Sequence, residues 1–117
     1  MRVTRIIADL RVADVEAAKG FCTGYLGLGT EEFHLGWAAR YTSPDTGATV
    51  QLVTRDAGAP EDPVISVVTG DVDGAYAEAQ ELGYEIVYPI TTEPWGVRRC
   101  FVRAPDGTVV NVLRHRD

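Results

Sequence analysis

The chain predicts an α+β fold of two tandem βαβββ modules whose curved antiparallel sheets enclose a cleft. Three observations carry this expectation. The composition is that of one ordinary globular domain, 117 residues at 45% hydrophobic and 24% charged, with apolar material for a core. A strand, a helix and three strands can be read twice along the chain. The wording of the turns repeats with them: Ser43-Pro44-Asp45-Thr46-Gly47 before Val50-Gln51-Leu52-Val53 is answered by Ala104-Pro105-Asp106-Gly107 before Val110-Asn111-Val112-Leu113. One helix covers only one face of a four-stranded sheet, so the other face of each sheet is left for a partner or a ligand.

In the first module (1–57), Val3–Val12 is β-branched and loosely alternating, as a strand requires. Asp14 stands as N-cap before Val15, Ala18, Phe21, Cys22 and Tyr25, which follow one another at helical spacing, and Gly24, Gly27 and Gly29 end that helix. Glu31–Leu35 and Trp37–Tyr41 form a strand pair around Gly36, and Ala48–Val53 follows the Pro-Asp turn. Residues 58–62 make a linker. In the second module (63–117), Val64–Val68 is a strand. Asp71 caps a helix through Ala75, Tyr76, Ala79 and Leu82, and Gly83 ends it. Tyr84–Ile90, Val97–Arg103 and Thr108–Arg114 complete the repeat, with His115 at a frayed end.

Charge and cysteine usage exclude several classes. Eleven basic against seventeen acidic residues leave a net charge of −6, and no basic cluster extends beyond Arg98-Arg99, so a nucleic-acid partner is not expected. No apolar run approaches the roughly 20 residues of a membrane helix. The opening residues carry no leader pattern, and Cys22 and Cys100 form neither a CxxC motif nor a disulfide framework. These features imply a cytoplasmic protein with reduced thiols. No Ser-His-Asp set, paired carboxylates or phosphate loop is present in the sequence pattern.

The tandem pattern, with Leu10-Arg11-Val12-Ala13-Asp14, Tyr25-Leu26-Gly27-Leu28, Asp71-Val72-Asp73 and Ala104-Pro105-Asp106-Gly107, resembles the vicinal-oxygen-chelate superfamily. That superfamily includes glyoxalase I, extradiol dioxygenases, fosfomycin-resistance enzymes and bleomycin-resistance proteins. The resemblance covers essentially the whole chain and implies a divalent metal held by side chains from the first and last strand of each module. The matching positions here are Ile7, Gln51, Val64 and Asn111. Two are hydrocarbons and two are neutral amides, whereas divalent ions at such sites take imidazole or carboxylate. A one-residue slip brings in only Ile6, Ala8, Ile65, Val110 and Val112, and Asp9 is the one carboxylate close by. Neither a metal nor another cofactor is expected.

What remains is binding. In the bleomycin-resistance branch, as the resemblance implies, the metal is lost and a homodimer sequesters a planar or bulky natural product between aromatic side chains. Phe33, Trp37 and Tyr41 on the first hairpin, and Tyr88 and Trp95 on the second, are the expected ring surfaces, with Trp37 and Tyr41 on one face. Gln51 and Asn111 are expected beside them to orient a ligand carbonyl or hydroxyl. One of Arg98 and Arg99 faces inward, and Cys100 reads as a buried structural thiol. Two alternatives stay open. One is an enzyme of the same superfamily, using Asp9 and His34 on a metal or Arg98 or Arg99 on an enolate. The other is a module without a ligand, its aromatics buried at a dimer contact.

Overall fold

The computed structural model describes residues 1–115. It is a mixed α+β chain: β1 (Val3–Arg11), α1 (Val15–Gly20) running into a π-helical segment (Phe21–Tyr25), β2 (Thr30–His34), β3 (Ala38–Thr42) and β4 (Thr49–Val53), then β5 (Ile65–Thr69), α2 (Val72–Glu81), β6 (Glu85–Thr92), β7 (Val97–Arg103) and β8 (Val109–His115). This is the βαβββ order twice over. Two units separate by their internal contacts. One spans Ile7–Ala57; the other joins Met1–Ile6 to the chain from Gly58 on. The first half of β1 therefore travels with the second module, where Thr4 Oγ1 donates to the Val68 carbonyl at 3.2 Å.

Within the first unit the strand order is β2-β3-β4-β1, and within the second β5-β8-β7-β6. The sheets were expected to be antiparallel, yet each has one parallel pair. β1 runs parallel to β4 and β5 parallel to β8, because the first strand of each module is joined to its last through a crossover that contains the helix.

Alternation gives each sheet two unlike faces. In the first unit Ala39, Tyr41, Val50 and Leu52 pack with Val15, Cys22 and Leu28 from the helical side. In the second, Cys100 and Val112 pack against Val72 and Ala75 of α2, with Tyr76, Ile90, Val102 and Val110 around them. The caps are those the sequence predicts. An oxygen of Asp14 accepts from Glu16 N at 3.0 Å, one of Asp71 accepts from Gly74 N at 2.9 Å, and Gly83 takes the positive φ that ends α2.

Three local expectations change. After Gly20 the helix widens to i→i+5 bonding, with Leu26 N donating to Phe21 O at 3.0 Å, and Phe21 and Tyr25 lie outside the core. They stack on each other at 5.2 Å between centroids while remaining 59% and 79% exposed. Leu82, expected on the buried face of α2, is its exposed C-cap. His115 is no frayed end; it pairs with Val97 in β8. No helix among the described residues is long and apolar enough to cross a membrane.

Removing the α2 cap tests this local account. Asp71→Ala is expected to lower unfolding free energy by about 1 kcal/mol in urea titration. An unchanged midpoint would mean that the cap adds nothing to α2.

Candidate functional site

The faces turned away from the helices carry the candidate site, and the strand registers build them in the same way. In the first unit Asp9, Gln51, Arg40 and Phe33 are successive partners across β1, β4, β3 and β2. In the second, Ser66, Asn111, Phe101 and Tyr88 are successive partners across β5, β8, β7 and β6. Gln51 thus corresponds to Asn111, as the internal repeat predicts, and the registers match Phe33 to Tyr88 as well. Arg40 and Phe101 are a mismatched pair. Arg40 donates to Gln51 Oε1 from Nε (3.1 Å) and Nη2 (2.9 Å), and its guanidinium lies 4.9 Å from the Phe33 ring centroid.

The second unit holds its cation one turn of the pleat further along β7. Arg99 is only 5% exposed, and its guanidinium carbon lies 5.2 Å from the Tyr88 ring, 5.2 Å from Trp95 and 5.0 Å from Phe101. A buried guanidinium requires a counter-charge. Glu93 supplies it, accepting from Arg99 Nη2 at 3.0 Å and from the Tyr88 hydroxyl at 3.0 Å. Glu93 reaches this position because it opens the β6–β7 turn, closed by its N–H to Val97 O (2.7 Å) and its C=O from Gly96 N (3.2 Å), with Gly96 at a positive φ. Trp95 sits on that turn, 37% exposed. One side of a caged cation is therefore walled by an indole that also meets solvent. Tyr88 and Phe101 meet at a tilt of 58° behind it, centroids 5.2 Å apart, and Ala59, Val87 and Val109 close the cluster.

Of the residues expected from sequence, the structure brings Tyr88, Trp95 and Asn111 onto the face of the second unit, and Phe33 and Gln51 onto that of the first. Tyr41 is a correction. It is fully buried on the helix side of β3, because Arg40 and not Tyr41 has the parity of the open face, and its hydroxyl donates to Glu31 at 2.9 Å. Burial, and then the Glu31 carboxylate, push its pKa up to about 12. Trp37 does not share a face with Tyr41, since it precedes β3. It is half-buried on the β2–β3 turn, its carbonyl accepting from Thr54 N at 2.9 Å, whereas Trp95 sits further from its strand on the β6–β7 turn.

The arginine question resolves by parity. Arg98 turns to the helix side, where it grips Asp73 through Nε and Nη2 at 2.8–3.1 Å, so Arg99 is the inward one. Cys100 is buried against α2, and burial raises its pKa to about 11, which keeps it a thiol. Three functional positions were missed: Arg40, Glu93 and Ser66. Each is defined by a cross-strand or turn partner, and partners across strands require a register that the sequence does not print. Parity along β7 alone would have paired Phe101 with Arg99.

The residues at the superfamily's chelating positions do not fit a divalent ion. Ile7 is a buried hydrocarbon and Val64 an exposed one. The Gln51 oxygen already faces the positive guanidinium of Arg40, and Asn111 Nδ2 donates to Ser66 Oγ at 3.0 Å. The alternative pair fares no better. Asp9 lies in the open-face row, whereas His34 turns to the helix side, its Nε2 2.8 Å from Glu16 of α1 and its Nδ1 accepting from Gly36 N.

The sequence profile of the Glyoxalase/Bleomycin resistance protein/Dioxygenase superfamily matches residues 3–112. The chain belongs to that superfamily. None of the curated proteins matches it. Among solved structures it is similar to one from Legionella pneumophila described as an NAD-dependent benzaldehyde dehydrogenase (14% identity, TM-score 0.75, covering 96% of this chain and 100% of that one). An uncharacterised protein from Methanosarcina mazei is similar at 23% identity and TM-score 0.73, covering 98% and 94%. A superfamily member from Vibrio splendidus 12B01 follows at 16% and 0.67, covering 94% and 97%. At these identities the likeness is one of fold.

Two outcomes test the electrostatics of the site. Glu93→Gln strands a buried guanidinium and is expected to cost about 3–5 kcal/mol, against less than about 1 kcal/mol for Asp73→Asn at the half-exposed Arg98 pair. Equal losses in urea titration would contradict the assignment. The raised Tyr41 pKa stabilises the fold fully below the ordinary tyrosine value of 10.0, and that contribution is lost as pH rises from there to about 12. Tyr41→Phe should flatten this alkaline decline in stability; an unchanged decline would place its origin elsewhere.

Proposed function

We propose that the protein is a non-catalytic binding protein that sequesters an aromatic or bulky natural product, in the manner of the bleomycin-resistance branch of its superfamily. The observation that carries this reading is the Arg99 cage, with Trp95 as its solvent-facing wall. The guanidinium is fixed by Glu93 and the rings of Tyr88 and Phe101, so the indole is presented as a flat, pre-positioned surface. A planar ligand stacking there orders few side chains, which is where ring-on-ring binding gains its affinity. The cage is also poor chemistry for turnover. Arg99 is already neutralised, the nearby carboxylate is engaged twice, and Cys100 faces the other way.

As in that branch, the working form is proposed to be a homodimer. The exposed ring pair of Phe21 and Tyr25 offers apolar surface for it.

A panel of planar polycyclic natural products titrated against tryptophan fluorescence tests the reading. Saturable quenching is expected, with recovery of the unchanged compound by mass spectrometry, and Trp95→Ala should weaken binding roughly tenfold or more. Chemical conversion of a bound compound would refute the non-catalytic reading. Quenching that survives Trp95→Ala unaltered would move the site elsewhere.

A further inference from the structure

We infer that Asn111 is the specificity-determining residue of the second-unit face, its carboxamide oxygen taking an N–H or O–H donor carried by the planar ligand. This rests on the reading of that face as a ring-stacking surface and adds the chemistry by which it selects. Asn111 is 6% exposed, and its Nδ2 donates to Ser66 Oγ at 3.0 Å. Its Oδ1 has no hydrogen-bond partner among the described residues. Buried polar atoms are almost always satisfied, so one that is not marks a place where a further group belongs.

The corresponding residue of the other module shows what is missing. Gln51 Oε1 receives two N–H bonds from Arg40, its neighbour on the next strand. At the matching position beside Asn111 stands Phe101, which has no donor to give. The nearest cation on β7, Arg99, directs its Nη2 to Glu93 instead. The exchange of arginine for phenylalanine across the two modules thus leaves an amide oxygen unanswered next to the ring cluster of Phe101 and Tyr88. A ligand fitting both features is flat and bears a lactam or amide N–H, or a phenolic O–H, on its edge. A carboxylate edge would set oxygen against oxygen and is refused. A site built around such a donor rejects analogues that lack it more strongly than one that reads apolar shape alone.

Acridone and N-methylacridone are the test probes. Both are neutral three-ring lactams, and only the first has an N–H. Affinities measured by isothermal titration calorimetry are expected to favour acridone at least tenfold in the wild-type protein. In Asn111→Leu, which keeps the size and removes the oxygen, the preference should fall to within twofold, with thermal melting confirming the fold. Equal binding of the two probes to the wild-type protein overturns the inference while leaving the stacking surface standing, and needs no variant. A preference that persists in Asn111→Leu also overturns it, because the methyl group alone would then explain it and the amide oxygen would be serving only water. Failure of both probes to bind, or binding indifferent to Trp95→Ala, overturns the stacking reading and this inference with it.

Discussion

A guanidinium cannot be buried without a fixed counter-charge, and much of the second module is arranged around that requirement. Glu93 must stand at the mouth of the β6–β7 turn to meet Arg99, which demands a tight turn with Gly96 at its end. Tyr88 must reach Glu93 with its hydroxyl, which holds its ring over the guanidinium and against Phe101. Trp95, carried on the same turn, then has one place to lie. Each ring contact with a cation is worth about 0.5–2 kcal/mol, less than the cost of removing the charge partner, so the ion pair sets the geometry and the rings follow it.

The first module solves the same problem differently. Its cation, Arg40, sits in the row itself, with the Glu32 carboxylate 4.0 Å away as counter-charge and with Gln51 and the ring of Phe33 against it. Shifting the cation from that position to the next inward site on β7 had two effects in the second module. It freed space in the row for Phe101, and it stripped the amide of its donors. Two modules with one plan therefore carry different chemistry on the faces turned away from their helices. One is closed upon itself, and the other has an indole and an amide oxygen to offer.

Most of the fold was legible because turn residues and alternation are local. The caps at Asp14 and Asp71, the Gly83 stop, the two Pro-Asp turns and all eight strands follow from neighbours within a few positions. The misplacements have non-local or cooperative causes. Phe21 and Tyr25 follow at helical spacing yet lie outside the core, on the segment where the helix widens after Gly20. Tyr41 was assigned to the wrong face because Trp37 was taken as part of β3, and one residue of strand boundary inverts every parity that follows. Gln51 and Asn111 were found through the internal repeat, but their unlike partners, Arg40 and Phe101, required the register. Glu93 carried no sequence signal at all, since its role exists only beside Arg99.

The most direct measurement is paramagnetic broadening of the Gln51 and Asn111 side-chain NH2 signals in a ¹H–¹⁵N spectrum on addition of Mn²⁺. If these amides serve a guanidinium, a hydroxyl and a ligand edge, both pairs of signals keep their widths at stoichiometric ion. Selective, saturable loss of either pair would show a chelating centre where this account places a stacking one.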